Sequence, residues 1–105
     1  MNLKFQSIHF TADQKLKDYI TSKIEKIEKF NDHIIDAEVI MKLENSGQVK
    51  DKIVEIIVRI PKETFVSTEQ SKTFESSCDL AVDSLKRQIK RHKEKLMSKK
   101  RLSQK

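Results

Sequence analysis

Hydrophobic positions along the chain change their spacing several times, and each spacing predicts one element. Residues 3–10 alternate as in a strand, with Leu3 and Phe5 on one side. Ile8 and Phe10 are out of phase with them. A β-bulge near Gln6-Ser7 would bring both pairs into one strand. The pattern therefore predicts a first, bulged strand.

Residues 11–30 show the spacing of an amphipathic helix. Thr11 and Gln14 match a capping box, in which Thr11 accepts from a free backbone N–H and Gln14 reaches back. Lys23 falls among the apolar residues, so it must extend past them or lie where the helix edge leaves the core. Asn31-Asp32-His33 ends the helix. The apolar stripe consists of Leu16, Tyr19, Ile20, Ile24, Ile27 and Phe30.

Three shorter segments then read as strands. Residues 37–43 and 54–60 alternate between apolar and polar side chains, and their β-branched residues favour strand over helix. Turns are predicted at residues 45–48 and 61–63, and a further short strand at 64–69. Together these segments predict an antiparallel meander.

From about Ser71 onward the apolar residues return to helical spacing, with no Gly or Pro to interrupt them. A helix of roughly 25 residues is near 40 Å long, whereas a strand of ten residues spans only about 33 Å. The helix should therefore overhang the sheet. His92 continues the stripe and is expected to close the end of the core. The stripe consists of Phe74, Cys78, Ala81, Val82, Leu85, Ile89 and Leu96.

The element order β-α-β-β-β-α predicts an α+β fold like that of double-stranded-RNA-binding domains. Two helices with one apolar stripe each can cover the same face of a four-stranded sheet and leave the other face to water. The first strand, which returns through a helix, most simply pairs parallel with the second. A chain of 105 residues supports one domain. We expect it to span residues 1–98, followed by a disordered basic tail at 99–105.

Positive charge is concentrated in the last helix. Residues 84–105 carry seven Lys and three Arg against Glu94 alone, a formal charge of +9, whereas residues 1–83 carry −3 and the whole chain +6. Solubility alone does not need such segregation, so the distribution indicates a directed contact with a polyanion.

The cations of the last helix border its apolar stripe on both sides. Lys86, Lys90 and Lys93 lie on one flank of the helical wheel, and Arg87, Arg91 and Lys95 lie on the other. A solvated helix surface is the ordinary interpretation of such a stretch. An anionic partner is favoured here because acids are almost absent, like charges one turn apart repel, and Arg suits phosphate oxygens. If the first helix lies alongside, its Lys15, Lys26 and Lys29 could complete a basic groove for folded RNA.

No pattern of residues predicts catalysis. His9, His33 and His92 are scattered, and none has metal-ligand spacing to Cys78 or to a carboxylate cluster. A single glycine cannot form a phosphate-binding loop. We therefore expect no enzyme, cofactor, metal site or small-molecule substrate. The sequence shows no signal peptide and no apolar run of membrane-spanning length, which predicts a cytosolic protein without a membrane partner.

Several segments together resemble the ribosome hibernation promoting factor and ribosome-associated inhibitor family. Residues 85–93 read LKRQIKRHK, similar to the family's Leu, any residue, Arg, Gln, Leu followed by basic residues. Asp79 and residues 81–83 agree with the segment before it. Residues 8–11 look like the family's strand end and helix cap, and residues 19–30 resemble its first helix. Ser84 and the segment 73–75 depart from the pattern.

The resemblance implies a protein on the small ribosomal subunit, between head and body, that overlaps the paths of messenger and transfer RNA and idles ribosomes in starvation or stationary phase. Its contacts would be made through the basic helices to ribosomal RNA. By position, the resemblance assigns such contacts to Arg87, Arg91 and Lys95 and to the first-helix lysines Lys23, Lys26 and Lys29. With the other flank, the predicted RNA-binding residues are Lys23, Lys26, Lys29, Lys86, Arg87, Lys90, Arg91, Lys93 and Lys95.

The expected partners are the small subunit and the whole ribosome, bound through ribosomal RNA. A chain ending at Lys105 resembles the family's short form, which lacks a C-terminal domain, and we expect a monomer off the ribosome. One alternative is a general double-stranded RNA-binding module, although the extra first strand argues against it. The other is a protein-interaction domain whose long helix docks in an acidic groove.

Overall fold

The elements follow the predicted order, which confirms the α+β fold. The computed structural model describes the backbone of residues 2–30, 33–46 and 49–103 and the side chains of residues 2–29, 33–44 and 51–96. Its elements are β1 (Asn2–Ile8), α1 (Gln14–Phe30), β2 (Asp36–Ser46), β3 (Val49–Ile60), β4 (Glu63–Ser71) and α2 (Phe74–Ser103).

The four strands form one mixed sheet in the order β1-β2-β3-β4. β1 runs parallel to β2, as predicted for strands joined through a helix. β2, β3 and β4 form the predicted antiparallel meander. Asn45 and Ser46, which were assigned to the first turn, belong to β2, and the remainder of that turn, Gly47 and Gln48, lies outside the described residues. Pro61-Lys62 connects β3 to β4, with Lys62 at a φ of 69°.

One hydrophobic core lies between the two helices and a single face of the sheet. Alternate residues of β2 and β3 are buried, while the residues between them are partly exposed on the other face. The apolar stripes of both helices cover this buried face, and burial of each large aliphatic side chain stabilises the arrangement by about 1.5–3 kcal/mol. The buried residues of the helices include Leu16, Ile20, Ile24, Ile27, Phe74, Cys78, Ala81, Val82, Leu85 and Ile89.

The predicted β-bulge in the first strand is wrong. β1 pairs with β2 without interruption, from Asn2 opposite Asp36 to Ile8 opposite Lys42. The strand ends at Ile8, and the positive φ of His9, 70°, turns the chain away from the sheet. Ile8 is paired in register opposite Lys42 as the last residue of the strand, and Phe10 follows the turn at His9, so neither residue requires an insertion within β1.

The predicted capping box is also wrong. α1 begins at Gln14, and the Asp13 Oδ1 atom, not Thr11, accepts a hydrogen bond of 2.8 Å from the backbone N–H of Leu16. Asp13 directly precedes the first helical residue, where its carboxylate also interacts favourably with the positive end of the helix dipole. The Gln14 amide donates to Asp18 and does not reach back.

α2 extends beyond the region in which the core buries it. Burial along its stripe ends at Ile89, and Leu96, although it lies on the same stripe, is 50% exposed beyond the end of the core. The His92 ring packs edge-on against Phe65, with centroids 5.5 Å apart, and closes this end of the core as predicted. The backbone of α2 continues as helix to Ser103, while the predicted boundary at residue 98 and the disordered tail stay predictions. None of the helices in the described ranges combines the length and the apolar character needed to cross a membrane.

Candidate nucleic-acid interface

Eight of the nine predicted RNA-binding residues, which lie on both helices, make up what we call the basic surface. All of its side chains are exposed except that of Lys86, which is half-buried. Because each is anchored on a helix packed against the sheet, the spacing of the positive charges is fixed by the fold. The basic surface consists of Lys26, Lys29, Lys86, Arg87, Lys90, Arg91, Lys93 and Lys95.

One flank of α2 faces α1, and it is the flank on which the helical wheel placed Lys86, Lys90 and Lys93. Lys86, Lys90 and Lys93 line a cleft of about 280 Å³ together with Ile27 of α1 and Ile89. Ile27 and Ile89 are almost fully buried, so much of the apolar lining comes from the methylene stems of the lysines. The cleft therefore combines an apolar floor with three cationic side chains.

The other flank of α2 faces the start of β4. Arg91 and Lys95 lie beside Glu63 and His92 on a shallower surface. The His92 Nδ1 atom is 3.9 Å from a Glu63 carboxylate oxygen. Arg87 is exposed on the same helix without belonging to either cleft. The structure therefore divides the predicted α2 residues between two sides of the helix.

The first-helix lysines occupy three different environments. Lys26 lines a groove between the helices that also contains Lys86 and two acids, Asp79 and Asp83. Lys29 is exposed in the last turn of α1, where a cation is favoured by the negative end of the helix dipole. Lys23 is the most enclosed of the three and interacts with residues of its own chain.

Lys23, Tyr19 and Asp79 meet where the two helices are in contact. The Tyr19 hydroxyl donates to both carboxylate oxygens of Asp79, at 2.8 and 3.0 Å. The Lys23 Nζ atom lies 3.6 Å from Asp79 Oδ1 and 5.4 Å from the centre of the Tyr19 ring. The hydrogen bond to Asp79, followed by burial, raises the pKa of Tyr19 to about 12.

Sequence reasoning placed Tyr19 in the apolar stripe and missed its partner. A signal was present, because a tyrosine within a buried stripe usually needs a hydrogen-bond partner for its hydroxyl. Asp79 lies near the start of the other helix, and only the packing of α1 against α2 brings the two residues together. The odd position of Lys23 on its wheel has the same explanation, since its ammonium group pairs with Asp79 at the edge of the core.

Two cations outside the basic surface, Lys23 and Arg59, are paired with carboxylates of the protein. Arg59 donates to Asp36 at 2.8 Å and to Glu38 at 3.4 Å across the β2–β3 pair, and these carboxylates raise its pKa. Within the described side chains, by contrast, the structure shows no ion pair for six members of the basic surface. These are Lys26, Lys29, Arg87, Lys90, Arg91 and Lys95.

The residues considered for chemistry are dispersed through the fold. Cys78 is buried, and this burial raises the pKa of its thiol to about 12, which keeps it protonated at neutral pH. His92 packs on Phe65, while His9 is exposed at the end of β1. Over the side chains that the structure describes, no group of three or more His, Cys, Asp or Glu residues is arranged to hold a metal ion.

Comparison with known proteins gives a match over almost the whole chain. The family model described as Sigma 54 modulation protein / S30EA ribosomal protein matches residues 3–97. A ribosome hibernation promoting factor of Pseudomonas putida is 33% identical over 98 residues, which cover 93% of this chain and 92% of that protein. A ribosome hibernation promotion factor of Bacillus subtilis is 31% identical over 91% of this chain but only 50% of its own length.

Solved structures show the same fold. The N-terminal domain of Protein Y from Thermus thermophilus superposes with a TM-score of 0.78 at 26% identity, covering 88% of this chain and 99% of that domain. A ribosomal subunit interface protein from Coxiella burnetii gives a TM-score of 0.80 at 20% identity, over 89% of this chain and 98% of the other. The second likeness concerns the fold alone.

Proposed function

The chain belongs to the family described as Sigma 54 modulation protein / S30EA ribosomal protein, and from this premise we propose that it binds ribosomes and promotes their hibernation. Relatives that match over most of their own length are named ribosome hibernation promoting factors. This membership agrees with the resemblance found in residues 85–93. A ribosome-bound protein acts in the cytosol, which is where we place this chain.

The observation that carries the proposal is the exposure of most of the basic surface, in which six cations have no ion pair among the described residues. The carboxylates of the fold pair with Arg59 and Lys23, whereas these six exposed cations are Lys26, Lys29, Arg87, Lys90, Arg91 and Lys95. Like charges one turn apart on α2, such as Arg87 and Arg91, repel each other, and an anionic partner offsets that cost. Ribosomal RNA supplies phosphates at close spacing along a folded backbone.

The proposed mechanism is inhibition by occupancy of the small subunit. The helices neutralise several backbone phosphates, the sheet holds the helices at a fixed separation, and the bound domain excludes messenger and transfer RNA from the same space. At about 1.5 Å per residue, α2 is a rod of about 45 Å, and Lys93 and Lys95 are exposed beyond Ile89, the last buried residue of its stripe. No chemical step is required, and we expect the protein to act when cells starve or enter stationary phase.

The charges near the start of α2 support a general double-stranded RNA-binding module less well than they support the ribosome-binding function. Such modules contact phosphates with the beginning of their second helix, whereas α2 carries Glu75 in its first turn, followed by Asp79 and Asp83. These acids repel a duplex backbone in that place. The strand β1 is also additional to the α-β-β-β-α order of those modules.

Sedimentation of the purified protein with small subunits, whole ribosomes and free RNA duplexes over a salt series tests the proposal. Each phosphate contact releases bound counterions, so the logarithm of the affinity should fall with the logarithm of salt concentration by about 0.7–0.9 per contact. We expect binding to small subunits and ribosomes that weakens by orders of magnitude as salt rises. Absence of binding at low salt, or equally tight binding to free duplexes, would contradict the proposal.

A further inference from the structure

The groove between α1 and α2 changes its charge along its length. Near the beginning of α2 it is lined by Lys23, Lys26 and Lys86 together with the acids Asp79 and Asp83. One to two turns further along α2 it becomes the cleft that carries Lys86, Lys90 and Lys93, and none of the described residues lining that cleft is acidic. Among the described lining residues, the groove therefore combines carboxylates with lysines at one end, whereas the charged residues at the other end are all lysines.

The acidic end of the groove is also the place where the helices are tied together. The Tyr19 hydroxyl and the Lys23 ammonium group, both from α1, converge on the single carboxylate of Asp79 from α2, which is 60 residues from Tyr19 in sequence. Lys23 also lies over the face of the Tyr19 ring. Three side chains therefore make mutually supporting contacts across the helix pair.

We propose that Tyr19, Lys23 and Asp79 form an interhelical clamp that positions the basic surface, and that Lys23 belongs to this clamp and not to the RNA contacts. The proposal rests on the ribosome-binding function given above and assigns the groove's RNA path to the cleft beginning at Lys86. It revises the role that sequence position implied for Lys23. Tyr19 and Asp79 become positioning residues that do not themselves touch RNA.

The charges around Lys23 support this assignment. A phosphate that approached Lys23 would come close to the Asp79 carboxylate and to Asp83, and both would repel it. Binding would also compete with the existing ion pair. Lys90, in contrast, is exposed beside Lys86 and Lys93, and the described residues that line this cleft include no acid.

The clamp can position the cations because both helices run in the same direction. Tyr19 meets Asp79 near the start of each helix, and Ile27 meets Ile89 further along both, at the cleft. A change of spacing at the clamp is therefore transmitted along the helix pair to the lysines of the cleft. Loss of the clamp should misplace cations that it does not contact.

Salt dependence distinguishes a phosphate contact from a positioning role. Binding of Lys23→Met and Lys90→Met to small subunits is compared with the wild type over the same salt series. We expect Lys90→Met to lower the slope by about 0.7–0.9, the value for one phosphate contact, and Lys23→Met to leave the slope unchanged while weakening binding equally at every salt concentration. An equal fall in slope for both variants would overturn the assignment of Lys23.

Asp79→Asn and Asp83→Asn make a matched pair that tests the positioning role. Both remove one negative charge from the same groove, but only Asp79 takes part in the clamp. We expect Asp79→Asn to weaken binding roughly tenfold through lost positioning, and Asp83→Asn to leave it unchanged or tighten it. Tighter binding of Asp79→Asn would show that Asp79 only repels RNA and would overturn the proposal.

A measurement that needs no ribosome tests the clamp separately from the proposed function. Tyr19 is the single tyrosine of a chain without tryptophan, so its absorbance at alkaline pH reports on the contact with Asp79. In Asp79→Asn, the pKa of Tyr19 should fall from about 12 towards its ordinary value of 10, because the charge of Asp79 is removed while the burial of the phenol remains. Identical titration in both proteins would overturn the clamp alone, whereas a wild type that does not bind small subunits would overturn the function and, with it, the assigned RNA path.

Discussion

The rings of Phe10 and Phe74 stack with their centroids 4.5 Å apart and their planes inclined by 15°. Phe10 lies between β1 and α1, and Phe74 is the first residue of α2, so this contact joins the starts of the two helices. It explains why the apolar Phe10 falls outside the alternation of the first strand. The aromatic pair and the Tyr19–Asp79 contact together fix the helix pair at one end of the sheet.

The stacked pair should contribute to stability as a unit. Phe74 is 8% exposed, so Phe74→Ala should lower the free energy of unfolding by about 3–5 kcal/mol, mainly through lost burial and the cavity that remains. In a double-mutant cycle with Phe10→Ala, measured by urea denaturation, the two rings should show a coupling of about 0.5–1.5 kcal/mol. A coupling near zero would mean that the rings do not stabilise each other.

Two leucines on α2 offer a test of where the core ends. Leu85 is fully buried and Leu96 is 50% exposed, although both lie on the apolar stripe of the sequence. Leu85→Ala should lower the free energy of unfolding by about 2–5 kcal/mol, and Leu96→Ala should change it by no more than about 0.5 kcal/mol. Equal losses in denaturant unfolding would place the end of the core further along α2.

The cap of α1 can be located by a similar comparison. The Asp13 carboxylate accepts the Leu16 N–H at 2.8 Å, so Asp13→Ala should destabilise the protein by about 0.5–2 kcal/mol. Thr11→Ala, which removes the cap predicted from sequence, should have a much smaller effect. Thermal or urea unfolding of the two variants decides between the two positions. A larger loss of unfolding free energy for Thr11→Ala would show that Thr11, and not Asp13, caps the helix.

Reversal of charge on α2 should remove ribosome association without unfolding the protein. Arg87 and Arg91 are exposed and lie off the buried stripe, so Arg87→Glu with Arg91→Glu should abolish co-sedimentation with small subunits and leave the unfolding midpoint nearly unchanged. The matched control is Lys4→Glu with Lys42→Glu, which makes the same change of net charge on the strands β1 and β2. If the control abolishes binding equally, net charge and not the basic surface directs the interaction.

Tyr19 makes the stability of the protein depend on alkaline pH. Its pKa is raised to about 12 in the folded protein from an ordinary value of 10. The hydrogen bond of the neutral phenol therefore contributes fully below pH 10, and its contribution is lost as the pH rises through about 12. We expect the difference in unfolding free energy between wild type and Tyr19→Phe to shrink over this interval in urea titrations. A difference in unfolding free energy that stays constant would show that Asp79 does not accept a stabilising hydrogen bond from the Tyr19 hydroxyl.

Local patterns predicted the elements well because burial imposes a period on each of them. The alternation in residues 54–60 and the helical spacing of Leu16, Ile20 and Ile24 follow directly from one buried face. Where prediction failed, a nearby alternative looked equally good in sequence. Thr11 and Asp13 are both suitable caps, and the choice depends on where β1 ends and how the chain turns at His9.

The candidate interface was predicted in composition but not in arrangement. The excess of Lys and Arg in α2, and its division into two flanks, could be read from the sequence because helical geometry fixes the angle between residues. The role of Lys23 could not be read from the sequence, because its partner Asp79 lies on a different helix. The role of the predicted RNA-binding residues stays a prediction until the salt series is measured.

By itself the sequence determined the element order, the buried faces and the concentration of positive charge on α2, because each depends on residue type and on spacing within one segment. The tertiary structure decided that Lys86, Lys90 and Lys93 face α1 while Arg91 and Lys95 face β4. It also decided that Asp79 takes the Tyr19 hydroxyl and the Lys23 ammonium group. Such choices depend on distances between residues far apart in the chain, and only the packing of both helices on one face of the sheet sets those distances.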